Sequence, residues 1–200
     1  MSRIGKKVIA IPEKTEVSYL SGIFAVKGPL GTLSKKFKPE IEITIGPLPA
    51  LTSPSLLPTV REGGQGEQAG SKITLTPKIM TLENRALWGT YASHIMNMIS
   101  GVVTPYVKKL IVEGIGYKSE VKDNILKLAL GFSHPVNVSI PEGLKVIAEK
   151  NIITITGIDK ELVSGFAAGI RLLKAPEPYK GRGIRYENET VKRKQGKKTV

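Results

Sequence analysis

The chain repeats itself. Ile11-Pro12-Glu13 returns as Ile140-Pro141-Glu142, and sliding one copy onto the other pairs Val17 with Val146, Ile23 with Ile152, Val26 with Ile155, Gly28 with Gly157 and Leu33 with Leu162, with no gap. A duplicated segment restricts the fold, because each copy must bury its own apolar face. The segments concerned read as strands: 8–11, 16–27 with a turn at Ser21-Gly22, 32–37, 41–45 and 72–76, then 107–117, 119–121, 125–130, 136–140, 145–148 and 152–156. Ile41, Ile43 and Ile45 alternate with Glu42 and Thr44, and Leu126, Leu128 and Leu130 alternate in the same way. Period-two alternation puts apolar side chains on one face of a sheet and polar ones on the other.

A sheet with one apolar face needs a cover, and two helical patterns supply it. The first is predicted over 81–100. Thr81 is its cap, Glu83 lies in its first turn, and Leu87, Tyr91, Ile95, Met98 and Ile99 fall near one face, with Gly101 placed to end it. The second is predicted over 160–174, capped by Asp159, with a buried stripe of Leu162, Phe166, Ile170 and Leu173. The expected fold class is α+β: two similar domains from internal duplication, each an antiparallel-rich sheet packed on a helix, with a basic C-terminal extension. The expected divisions are an N-terminal unit at 1–80, a joining helix at 81–102, a C-terminal unit at 103–175 and the extension at 176–200. Residues 47–71 are rich in Pro, Gly and Ser without a period and read as a loop inserted in the first unit.

Charge concentrates at the end of the chain. The net charge is +13, and residues 171–200 hold ten cations against three acids. Such a footprint marks a nucleic-acid or anionic-surface partner. Within it lies Pro-Glu-Pro-Tyr-Lys-Gly-Arg-Gly-Ile-Arg-Tyr, residues 176–186. The prolines bar a helix, the glycines let backbone approach a ligand, the cations suit phosphates, and Tyr179 can stack on a base.

Other function classes find little support. The chain has no cysteine, which rules out disulfides and thiolate metal sites. No cofactor is expected. Gly114-Ile115-Gly116 lacks the third glycine of a dinucleotide loop and opens no helix, so it reads as a bulge or close approach. Gly165 and Gly169 are expected to let the second helix lie close to its sheet. His94 and His134 have no partners spaced for a metal, although His134 is a weaker candidate for RNA contact. Trp88 is expected to pack rather than stack. No nucleophile–base pair, paired carboxylate or phosphate loop is present, so an enzyme with a small-molecule substrate is not expected. The apolar run after the basic start is too short for a signal core, and no stretch reaches the roughly 20 apolar residues of a membrane span. A soluble intracellular protein is the expectation.

The sequence resembles bacterial-type large-subunit ribosomal proteins of the L-six family over nearly its whole length apart from residues 47–71. The likeness rests on Met-Ser-Arg-Ile-Gly-Lys-Lys at the start, on residues 112–121 and 128–136, on Gly-Ile-Asp-Lys-Glu-Leu-Val at 157–163, and above all on residues 176–186. It implies a two-domain α+β protein whose C-terminal unit binds large-subunit rRNA near the stalk base and sarcin-ricin region, supporting the factor-binding site beside neighbouring ribosomal proteins of the stalk base. It implies a place in the cytoplasmic or an organellar ribosome, with no membrane partner. Carried over by position, the implied RNA contacts are Tyr179, Lys180, Gly181, Arg182, Gly183 and Arg185, followed by Lys192, Arg193, Lys194, Lys197 and Lys198. The competing expectation is an interaction module whose basic tail binds an acidic protein or a membrane surface. Stacking by Tyr179 discriminates between the two.

Overall fold

The structure, a computed structural model, describes residues 4–47 and 71–196. Most of the expected insertion, and with it Lys197 and Lys198, lies outside the described residues. The chain divides into two compact units, Met1–Thr104 and Pro105–Val200.

The first unit contains β1 (Ile9–Ala10), β2 (Glu16–Leu20), β3 (Ile23–Gly28), β4 (Gly31–Lys36), β5 (Ile41–Pro47), β6 (Ser71–Pro77) and α1 (Leu82–Val103). Strands β2, β3 and β4 form an antiparallel meander. Its first turn places Ser21 and Gly22 at φ of 51° and 80°, the left-handed pair that matches the twist of a two-residue hairpin. A second sheet has the order β1-β6-β5. Helix α1 covers these strands. Its cap is Thr81, whose side chain accepts from the Asn84 amide, and Trp88 is buried with its indole N–H donating to the Leu75 carbonyl at 2.9 Å. Gly28 permits the closest approach, since a Cβ there would lie 2.7 Å from the Val102 side chain. Gly101 does not end the helix. The chain stays helical to Val103, and Thr104 becomes extended because it precedes Pro105.

The second unit contains β7 (Tyr106–Glu113), β8 (Lys118–Lys122), β9 (Ile125–Ala129), β10 (Val136–Ser139), β11 (Leu144–Glu149), β12 (Ile152–Gly157), α2 (Lys160–Leu173) and β13 (Gly183–Tyr186). Strands β8, β9 and β10 form a second meander, turned at Asp123 and Asn124 with φ of 51° and 61°. The larger sheet has the order β11-β12-β7-β13. Its core gathers Leu110, Val112, Ile153 and Ile155 with Leu126 and Leu128 of the meander and Val163, Ala167 and Ile170 of α2.

The α2 stripe is broader than the expected one. Ile170 is buried and Phe166 and Leu173 pack against the core as expected, Val163 and Ala167 also face inward, and only Leu162, 45% exposed, falls outside. Asp159 caps the helix through the Glu161 amide, and Gly157 brings β12 close to Val163, which sets the first turn. Gly165 and Gly169 consequently point outward. A Cβ at either would meet nothing within 4 Å, so they do not bring the helix close to the sheet.

Element order is the same in both units: a strand, a meander, an antiparallel pair and a helix. The first strand of each unit pairs with the second strand of that pair, β1 with β6 and β7 with β12. In this order Ile73-Thr74-Leu75-Thr76 answers Ile153-Thr154-Ile155-Thr156, and the capping residue Thr81 answers Asp159. The register read from the sequence differs. It lays β2 and β3, part of a meander, on β11 and β12, which belong to the larger sheet. Short strands of alternating β-branched residues match in more than one register, so those identities do not mark equivalent places.

Candidate nucleic-acid interface

The expected basic extension is anchored in the second unit. After α2 the chain closes a short loop: the Glu177 amide donates to the Arg182 carbonyl at 2.9 Å, and the Gly181 amide to the Glu177 carbonyl at 3.1 Å. Pro178, Tyr179 and Lys180 form the exposed tip, with Tyr179 57% exposed. Gly183 sits at φ 145°, and a Cβ there would stand 2.6 Å from the Ala175 carbonyl oxygen. Only glycine fits such a crossing.

Beyond the tip the strip becomes an edge strand. β13 pairs with β7, setting Gly183 opposite Glu113 and Ile184 opposite Val112. Ile184 is fully buried, and its amide donates to the Lys174 carbonyl at 2.8 Å. The chain then returns toward the tip, where the Lys194 amide donates to the Pro178 carbonyl at 2.8 Å. Arg193 lies over Gly181, with its Nε 2.9 Å from where a Cβ would be. Lys180, Lys192, Arg193 and Lys194 are exposed, and Arg182 is half-buried. The fold thus brings the returning cations beside an exposed aromatic tip, and the two glycines serve its backbone geometry.

Arg185 is differently placed. Its Nε and Nη2 donate to Glu113 Oε1 at 3.1 and 2.6 Å, and its Nη1 to the Glu189 carbonyl at 3.4 Å. Behind it, Arg171 makes a two-pronged pair with Glu189, 2.8 Å from Nε to Oε2. The Arg171 hydrogen bond, with the Tyr186 amide and the charges of Arg171 and Arg185, holds the Glu189 carboxyl below its ordinary pKa against the opposing effect of burial. Arg171 is shifted upward by the same hydrogen bond. Fixed, charge-assisted pairs of this kind orient a strand.

One feature of this surface escaped sequence reasoning. Phe132 is 45% exposed in the loop after β9, and Lys174, at the root of the strip, stands 4.9 Å from its ring centroid. The only signal was an aromatic residue among the small residues of Gly131-Phe132-Ser133. His134 is exposed in the same loop. In the first unit, Lys35 Nζ lies 3.2 Å from His94 Nδ1. Gly114 makes a close approach, since a Cβ there would meet the Tyr117 ring at 2.5 Å. Among the described residues no group of acidic or histidine side chains is arranged for a metal, and no helix is long and apolar enough to cross a membrane.

A family model described as Ribosomal protein L6 matches residues 113–187, a span that holds both Glu113 and the strip. Among curated proteins the chain is 39% identical to the large ribosomal subunit protein uL6 of Desulforapulum autotrophicum, covering 98% of each chain. It is 40% identical to the protein of that name from Desulfatibacillum aliphaticivorans, again over 98% of each. With that of Mycoplasmoides gallisepticum the identity is 39%, over 98% of this chain and 97% of the other.

Proposed function

The chain belongs to the ribosomal protein L6 family, structural constituents of the large ribosomal subunit rather than enzymes, and from that premise we propose that its second unit binds large-subunit rRNA through the tip of residues 178–182 and the returning segment 192–194. The observation that carries this reading is the exposed Tyr179-Lys180 tip with Lys192–Lys194 folded back beside it. Helical RNA offers phosphates, 2′-hydroxyls and a shallow minor groove, while unpaired bases offer faces for stacking. Lys180, Arg182, Lys192, Arg193 and Lys194 neutralise phosphates, and Tyr179 stacks. With about six phosphate contacts, affinity falls on the order of a thousandfold between low and moderate salt. Arg185 holds the strand through Glu113 and adds little free charge. Lys197 and Lys198 extend the basic segment.

The finer placement is part of the same proposal: near the stalk base and the sarcin-ricin region, beside neighbouring ribosomal proteins of the stalk base, in cytoplasmic ribosomes. The shared element order and the Ile-Thr-Leu-Thr/Ile-Thr-Ile-Thr match support descent of the two units from one duplicated ancestor. Crosslinking residues 179–185 within purified large subunits, mapped to nucleotides, tests the site. Crosslinks to rRNA at the tip are expected, and none from Tyr179 or Lys180 would overturn the assignment. A basic module that binds acidic protein or membrane would instead lose almost nothing when Tyr179 is truncated.

A further inference from the structure

The two units differ at one edge. In the second, the outer side of β7 is covered by β13, and Ile184 fills the space under it. In the first, the equivalent strand β1 pairs with β6, and among the described residues no strand lies on its other side. Equivalence is fixed by hydrogen bonds. The Ile11 amide donates to the Ser71 carbonyl as the Val112 amide donates to the Asn151 carbonyl. Ile9 therefore answers Leu110, and Ala10 answers Ile111. By strand alternation the backbone groups of Val8 and Ala10 point outward, as those of Lys109 do where its carbonyl accepts the Glu187 amide in the second unit.

This open edge borders an apolar cleft of about 470 Å³, lined by Val8, Ile9 and Pro12 on one side and Met96, Ile99 and Val103 of α1 on the other. Val8 is 51% exposed. Pro12 has no amide to offer, and its carbonyl already accepts from the Thr15 hydroxyl at 2.6 Å, so the usable edge is short. Lys7 also lines the cleft, and Lys6 beside it is exposed.

We propose that the edge of β1 captures a short extended segment of another protein, added as an antiparallel strand, with an apolar side chain in the cleft and a carboxylate beside Lys7. Strand addition takes affinity from main-chain hydrogen bonds and specificity from the pocket that receives alternate side chains. Strand β13 is the intramolecular precedent for such an occupant, and the Lys6–Lys7 flank selects an acidic one over the cationic sequence of β13 itself. Nucleic acid suits the cations, but it has no strand edge to pair with Val8 and Ala10. The inference does not rest on the rRNA site, which lies in the other unit.

The test uses the full chain, isotope-labelled, titrated with a synthetic peptide Gly-Glu-Gly-Ile-Glu-Tyr-Glu-Asn. Shifts at Val8 and Ala10 and slowed exchange of the Ala10 amide are expected. Ala10→Pro, which removes only an outward donor, and Val103→Asp, which leaves β1 intact, should each weaken binding at least tenfold with the melting transition retained. A peptide with Asp in place of Ile should not bind, and one with Arg in place of each Glu should bind several-fold more weakly. Unmoved Val8 and Ala10 signals at millimolar peptide, or binding that both variants leave unchanged, would overturn the proposal. So would concentration-dependent dimerisation that protects the Ala10 amide, since a second copy would then be the occupant. An RNA oligonucleotide that shifted the same amides more strongly than the peptide would do likewise.

Discussion

The Arg185 guanidinium bridges to the Glu113 carboxylate across the β13–β7 pair, at 3.1 Å from Nε and 2.6 Å from Nη2 to the same oxygen. A cation that composition counts toward polyanion binding is thereby committed within the fold. Glu113→Gln separates the two roles, because it weakens the clamp while raising the net positive charge. The pair is partly exposed, so the loss of stability is expected to stay near or below about 1 kcal/mol. If Arg185 acts as a clamp, rRNA affinity in a filter-binding assay stays level or falls. A gain in affinity would show that freeing Arg185 supplies a phosphate contact.

Tyr179 is exposed at the tip and supports no part of the core, so Tyr179→Ala should leave the melting temperature unchanged. Loss of a stacked base should still weaken rRNA binding by about 1–3 kcal/mol. Tyr179→Phe keeps the ring face and should bind nearly as well as the parent. Equal affinity for all three at moderate salt would assign the interface to charge alone.

The two strip glycines should respond differently to alanine. At Gly183 the added Cβ meets backbone, the Ala175 carbonyl oxygen at 2.6 Å, at φ 145°. Nothing nearby can move without breaking the loop, and a loss of roughly 1–3 kcal/mol or more is expected from the backbone strain alone. At Gly181 the obstacle is the flexible end of Arg193, at φ 72°, so the cost should be near about 1 kcal/mol. Denaturant unfolding of both variants gives the order directly.

Much of this geometry was legible in the chain. The hairpin pairs Ser21-Gly22 and Asp123-Asn124 lie in left-handed backbone that Gly, Asn and Asp tolerate best, and the caps Thr81 and Asp159 stand where their side chains accept amide donors. Strand β13 was not legible, because a four-residue strand that begins on a glycine carries no period. The Arg185–Glu113 pair was equally hidden, since its members lie 72 residues apart and meet only through strand register. The edge of the inward face of α2 was ambiguous for another reason: Leu162-Phe166 and Val163-Ala167 make adjacent apolar arcs about Ile170, and the Gly157–Val163 contact in the fold brings Val163 in while Leu162 stays exposed.

Glu189 gives the second unit an acid-sensitive contact. Its carboxyl is held below the ordinary value of 4.5, chiefly by the Arg171 hydrogen bond. A carboxylate with a folded-state pKa below its unfolded one adds stability that is present above the unfolded value. That stability is lost as pH falls through the folded value. Arg171 is shifted upward and stays charged throughout that range, so it adds no slope there. Stability of the parent should therefore drop more steeply below pH 4.5 than that of Glu189→Gln, with the curves parallel above it. Parallel curves throughout would mean that Arg171 and Glu189 do not stay paired in solution.

Ile184 decides whether the strip can be treated as a detachable arm. A freely hanging basic extension could be cut away after Ala175 with the fold preserved. In the structure that cut removes a fully buried side chain and uncovers the β7 edge. Ile184→Ala should cost about 2–5 kcal/mol, the range for truncating a well-packed aliphatic residue. A deletion from residue 183 onward should cost more, because Val112 and Leu110 then lose their cover as well. Loss of rRNA binding in such a deletion would report unfolding as much as lost contacts. Pairing the melting curve of Ile184→Ala with its rRNA affinity below the transition resolves this. The expected outcome is a lowered transition with near-parental affinity while the unit stays folded, because the side chain faces the core. An unshifted transition would show that β13 is not part of the folded sheet.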